Sequence, residues 1–174
     1  MINFYPEGIL IDKAENKFCL KNISGITEAM HEGRILEAMV SVCDSSHNLV
    51  VNLNGIKGVI PREEGAIGIK EGKVRDIAII SRVNRPVCFI VTGIKSDEAG
   101  NPTAILSRRA AQERCMSSYI EKLSAGDIIN ARITHLEQFG AFADIGCGIA
   151  SLPPIDFIGS GSRPIAFTTF SKWR

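Results

Sequence analysis

The chain repeats itself. Gly33-Arg34-Ile35 returns as Gly126-Asp127-Ile128, Ala38 as Ala131, Val40 as Ile133, Asn52-Leu53 as Asp144-Ile145, and Gly58-Val59 as Gly148-Ile149. The offset narrows from 93 to 92 to 90 residues, and the narrowing falls in turns. An ordered but drifting offset is what two copies of one small β-fold produce. It divides the chain into an N-terminal segment with a short helix (1–32), a first β unit (33–107), a linker helix (108–125), a partial second β unit (126–157) and an irregular tail (158–174).

Within the first copy the strands can be read off. Ile35 to Val42 is rich in β-branched residues, and Leu49 to Leu53 alternates so that Leu49, Val51 and Leu53 share a face. Asn54-Gly55 is a strong hairpin signal. The strand returns over Lys57 to Pro61 and stops there, because proline cannot donate to a ladder. Val87 to Ile94 is a buried strand, Gly100-Asn101-Pro102 a turn, and Thr103 to Leu106 the fifth strand. Ser24 is placed to cap a helix through Ile26, Ala29 and Met30, and a helix near Asp76 to Val83 is expected in the connection from Arg62 to Arg85. Met116, Tyr119, Ile120 and Leu123 fall at i, i+3, i+4 and i+7, one face of the linker helix, which Gly126 follows.

The second copy is short. After Phe157 only 158–174 remain, starting Gly159-Ser160-Gly161-Ser162, with Ala166 to Phe170 as one short strand. A fourth and a fifth strand do not both fit. The expected fold is therefore mainly β: tandem five-stranded barrels joined by an α-helix, the second incomplete. An open barrel leaves unpaired edges, so self-association through it is expected.

Composition narrows the function. The 174 residues are 45% hydrophobic and 22% charged, with a net charge of +1. A uniformly basic surface is excluded, so any nucleic-acid affinity must come from a local patch and from stacking. No apolar run approaches the roughly 20 residues that span a bilayer, and the N-terminus lacks a secretory pattern, so no membrane partner and a cytoplasmic location are expected. Cys19, Cys43, Cys88, Cys115 and Cys147 are scattered and never form C-x-x-C, which reads as buried reduced thiols. His31, His47 and His135 lie far apart without partners at ligand spacing, so no metal site is expected. Glu63-Glu64 reads as a solvated turn. The glycines at 65, 68 and 72 lack the Lys-Ser/Thr of a phosphate loop, and no nucleophile motif occurs. The chain reads as a non-enzyme without a cofactor.

One constellation stands out in the second copy. In Phe139-Gly140-Ala141-Phe142-Ala143-Asp144-Ile145, Ala141, Ala143 and Ile145 share the inward parity of Leu49, Val51 and Leu53. Phe142 then faces outward beside Asp144, and Phe139 sits in the turn, where Gly140 lets the backbone bend. Two such rings make a stacking platform for unpaired bases, with Arg132, Thr134 and His135 of the preceding strand offering donors. The competing reading makes both phenylalanines core. Arg108-Arg109, followed by Arg114, is either a solvated helical face or a secondary phosphate contact.

From Gly126-Asp127-Ile128 through Arg132-Ile133-Thr134-His135-Leu136-Glu137-Gln138-Phe139-Gly140-Ala141-Phe142-Ala143-Asp144-Ile145-Gly146, the chain resembles the start of an S1 RNA-binding domain. This is the OB-type repeat of ribosomal S1-like proteins and several RNA-processing enzymes. Gly33 to Arg109 resembles the same repeat, through Gly58-Val59-Ile60-Pro61 and Leu106-Ser107-Arg108-Arg109. The resemblance covers roughly residues 33 to 155. It implies single-stranded RNA, with mRNA as the first candidate, bound on the face that holds the two aromatics. It also implies the ribosome or RNA-processing proteins as partners. Ser151 stands where the family often has histidine. In the first copy His47 and Val50 take the platform positions, which leaves protein docking as an alternative role for that barrel.

Overall fold

Ile35–Cys43 (β1), Leu49–Leu53 (β2), Ile56–Ile60 (β3), Pro86–Ser96 (β4) and Pro102–Ser107 (β5) close into one barrel in the order β1-β2-β3-β5-β4. All neighbours are antiparallel except β3 and β5, which run parallel. The computed structural model describes residues 4–97, 99–124, 127–137 and 140–151. The expected roles of Gly126, Phe139 and residues 152–174 lie outside them.

The hairpin signal works as read: Asn54 and Gly55 both take positive φ, 53° and 91°, as a tight two-residue turn requires. Leu49, Val51 and Leu53 are fully buried, while Asn52 is exposed, so the alternation in the sequence is the alternation of the sheet. Phe89 and Leu106 fill the same core from β4 and β5.

Two helices precede the barrel, Ala14–Cys19 (α1) and Ile23–Glu32 (α2), and Ile26 and Ala29 of α2 are buried in the barrel's core cluster. The cap of α2 is Asn22, not Ser24. Its extended backbone lets the side chain accept from Gly25 N at 2.9 Å, while Ser24 already lies inside the first turn. Gly33 stops the helix at φ 62°, with Arg34 N donating to Ala29 O at 2.9 Å. The glycine that opens the first copy is thus a helix terminator. Gly25 is where the two helices approach closely: a Cβ there would lie 2.6 Å from Cys19 O, a backbone atom that cannot step aside. Gly25→Ala should therefore destabilise the protein by about 1–3 kcal/mol despite alanine's better helix propensity, read as a lower urea midpoint.

After β3 the connection contains a four-residue helix, Ile77–Ile80 (α3), with Ile79 in the core. The linker helix is Arg108–Ser118 (α4), followed by a short 3₁₀ turn at Ile120–Lys122. Its buried positions are Arg108, Ala111, Gln112 and Cys115, so the Met116/Tyr119/Ile120/Leu123 stripe is not its buried face. The backbone breaks at Tyr119 (φ −132°, ψ −64°), before that stripe can complete. Ser107 caps α4, accepting from Ala110 N at 2.8 Å while its hydroxyl donates to Glu64 at 2.5 Å.

The chain divides into two units: residues 7–113, which contain the barrel, and residues 1–6 with 114–174. In the second, Arg132–Glu137 (β6), Gly140–Gly146 (β7) and Ile149–Ser151 (β8) form an antiparallel sheet in the order β6-β7-β8. Cys147 N donates to Tyr5 O at 2.9 Å, and Phe4 stacks on Tyr119 at 5.7 Å between centroids.

The two β units align differently from the sequence match. The β7–β8 turn is Cys147-Gly148, with φ 51° and 73°, the counterpart of Asn54-Gly55. Ile149 then opens β8 as Ile56 opens β3. Matching Gly58-Val59 to Gly148-Ile149 was therefore out of register by a turn. β7 carries a bulge after Asp144: Asp144 pairs with Ala150 and Gly146 with Ile149, leaving Ile145 as the extra residue, which returns the offset to 93 at Cys147.

None of the five cysteines is in a disulfide; Cys19, Cys88, Cys115 and Cys147 are buried and Cys43 partly so. Among the described residues no helix is long and apolar enough to cross a membrane, and no His/Cys/Asp/Glu group could hold a metal ion.

Candidate nucleic-acid interface

Phe142 sits in β7 between the chain's inward positions. Ala143 and Ile145 are buried at 0% and 2% exposure, whereas Phe142 is only partly covered. What lies beside it is set by a second bulge. In the β6–β7 ladder Ile133 pairs with Ala143, but the next pair is His135 with Phe142, so Thr134 is the extra residue. Plain alternation would put Arg132 and His135 on opposite faces. The bulge brings both across from the outward positions of β7, Arg132 opposite Asp144 and His135 opposite Phe142. The His135 ring lies 6.4 Å from that of Phe142, tilted by 33°. Thr134 donates its hydroxyl to Phe142 O at 3.1 Å and so fixes the backbone beneath the ring. Arg132, Thr134 and His135 are all exposed. No feature of the sequence marked this bulge.

Asp144 and Arg108, both expected to face a ligand, are buried instead. Asp144 is 4% exposed, and its Oδ1 accepts from Gly146 N at 2.9 Å and Gly148 N at 3.1 Å. Asn52 does the same in the first unit, accepting from Gly55 N at 2.8 Å. Asn52 and Asp144 thus each hold a hairpin turn. The backbone of Ser151 pairs with that of Ala143 in the β7–β8 ladder. Arg108, expected as a phosphate contact, is 3% exposed. It pairs with Glu7 through two bonds of 2.7 and 3.0 Å and donates to Gly65 O. Burial opposes the Glu7 charge, but Arg108, then Arg82, and the Cys88 N–H hold its carboxyl below the ordinary value. Arg109 is engaged locally by Glu113 at 2.8 Å and Glu64 at 3.7 Å.

In the first unit the platform positions are differently used. His47 adopts φ 61° and its Nδ1 lies 3.1 Å from Asp76, which Arg62 also grips at 2.7 Å. The Arg62 hydrogen bond leads in holding the Asp76 carboxyl below its usual range. Val50, with Ser41, Asn52, Gly55, Ile56 and Lys57, lines a shallow cavity of about 250 Å³ without an aromatic ring.

No protein-family profile matches the chain. It is 32% identical over 102 residues to the small ribosomal subunit protein bS1 of Leuconostoc lactis, covering 56% of this chain and 22% of that protein. The likeness is to ribosomal protein S1. The bS1 of Staphylococcus haemolyticus (strain JCSC1435) is 28% identical over 130 residues, 72% of this chain and 30% of that protein. The chain thus spans between about a fifth and a third of the S1 relatives it matches. The mainly β architecture, with its closed five-stranded barrel, agrees with the S1-like, OB-type resemblance of the sequence.

Proposed function

We propose that this protein binds single-stranded RNA, in translation or RNA metabolism, on the outer face of the β6–β7 hairpin, without catalysis. Phe142 and Phe139 stack unpaired bases, and Arg132 and His135 meet phosphates beside them. In this reading residues 126–157 belong to a second OB-type unit in tandem with the first. The supporting observation is the β6 bulge, which gathers Arg132, His135 and Phe142 on one face. The S1 relatives are small ribosomal subunit proteins by name, which favours mRNA as the ligand and the ribosome, in the cytoplasm, as the setting.

The salt dependence of binding tests the phosphate role. Each neutralised phosphate contributes a slope of about −0.7 in log K against log salt on single strands. Arg132→Gln should make that slope shallower by roughly this amount, measured by anisotropy of a labelled oligonucleotide. An unchanged slope removes Arg132 from the site.

A second reading, protein docking through the first barrel, is favoured there by the engaged His47 and by exposed Met39 and Val42, at 43% and 53%. On that reading Val42→Asp abolishes co-sedimentation with ribosomes while RNA affinity stays intact.

A further inference from the structure

The N-terminal segment is tied to the barrel by buried polar contacts that the proposed RNA face does not use. Glu37 lies on β1 between inward Leu36 and Ala38, so its side chain leaves the barrel's outer side, yet it is 1% exposed. Asn16 of α1 clamps its backbone in both directions, each bond at 2.9 Å. Its carboxyl meets the turn at residues 8–11: Ile11 N donates to Oε2 at 2.8 Å, and the nearby N–H groups of Gly8 and Leu10 favour its charged form. The other oxygen, Oε1, has no hydrogen-bond partner among the described residues.

The charged and titratable groups at Glu37 and at its neighbour Glu7 come from four elements. Glu7 approaches from the segment itself and carries a like charge. Arg108 of α4 and Arg82, beyond α3, are both ion-paired to Glu7, at 2.7 and 3.5 Å. Cys88 is Glu37's partner across the β1–β4 ladder, and its N–H donates to Glu7 at 3.1 Å. Among the described residues no ion pair links a cation to Glu37. A buried carboxylate with an unpaired oxygen, next to a second carboxylate and unmatched by a cation, is far less favourable than the neutral acid.

We propose that Glu37 is a proton-operated latch: as the neutral acid it holds residues 7–20 on the barrel, and on ionisation it lets them go. Burial is the largest influence on this carboxyl and pushes it up from its ordinary value. The Glu7 charge adds to that, against the pull of the Gly8, Ile11 and Leu10 N–H groups. A folded-state value above the unfolded one means that the latch is fully closed below the ordinary carboxylate range. It weakens as pH rises through the raised value. Glu7 has the opposite sign, so its loss at acid pH is separable from the latch.

The test is hydrogen exchange of peptides covering residues 7–20 in the full chain, corrected for intrinsic rates, across pH 5 to 9. It compares wild type with Glu37→Gln, a neutral isostere of the protonated acid. From the ordinary carboxylate range up to the raised value, wild-type protection should fall about tenfold per pH unit, the slope of one released proton, and level off above it. In Glu37→Gln, protection should stay high and flat. Parallel profiles for the two proteins overturn the proposal. So does a glutamine variant that exposes the segment at low pH or fails to fold, because the neutral form would then not be the holding one.

Discussion

Phe142→Ala should weaken single-stranded RNA binding by about 1–3 kcal/mol, roughly 5- to 150-fold in Kd, because stacking of one base on a ring has that magnitude. Folding should change little. Phe142 is only partly covered, whereas Ala143 and Ile145 anchor the strand and remain in place. Phe142→Tyr keeps the π-face and should retain most of the affinity. Titration of a labelled oligonucleotide, with the thermal midpoint as a control, reads both quantities. Equal affinity for wild type and Phe142→Ala would remove the ring from the interface.

Arg108→Ala should be the most damaging single change to stability, at about 3–5 kcal/mol, because it leaves the buried Glu7 carboxylate with only the more distant Arg82, at 3.5 Å, as a counter-charge. The pair links the N-terminal segment to α4, and Arg108 also reaches Gly65 O in the connection after β3. Replacing both partners, as in Glu7→Leu with Arg108→Met, should recover much of the loss, since no buried carboxylate is then left behind and only the longer Arg82 contact, at 3.5 Å, is given up. The pH dependence follows from the lowered Glu7 carboxyl. The pair contributes fully above the ordinary carboxylate range and is lost as pH falls through the depressed value. Urea midpoints of the single and double variants at neutral and acid pH measure this. A double variant no more stable than Arg108→Ala contradicts it.

The contrast between these two residues shows what the sequence could reveal. Alternation located Leu49, Val51 and Leu53 in the core, and Asn54-Gly55 marked its own turn, because local backbone geometry decides both. Phe142 was read as outward by the same parity. Arg108 looked like its neighbour Arg109, two basic residues opening a helix. Only Glu7, 101 positions away, makes one of them a core residue. Asp144 looked like a surface acid because its partners are backbone N–H groups two and four residues ahead, which no side-chain pattern displays. The bulge at Thr134 was equally hidden, since an extra residue in a ladder is defined by the partner strand. What fixed the candidate site was long-range pairing. What the sequence showed was short-range.

The most direct test of RNA binding on the β6–β7 face is photo-crosslinking of the full chain to a 4-thiouridine-substituted single-stranded RNA, with the attached peptides mapped by mass spectrometry. Crosslinks should concentrate in residues 132–145 and diminish in Phe142→Ala. Crosslinks confined to residues 33–107, or an absence of crosslinks under conditions where the RNA is bound, would contradict it.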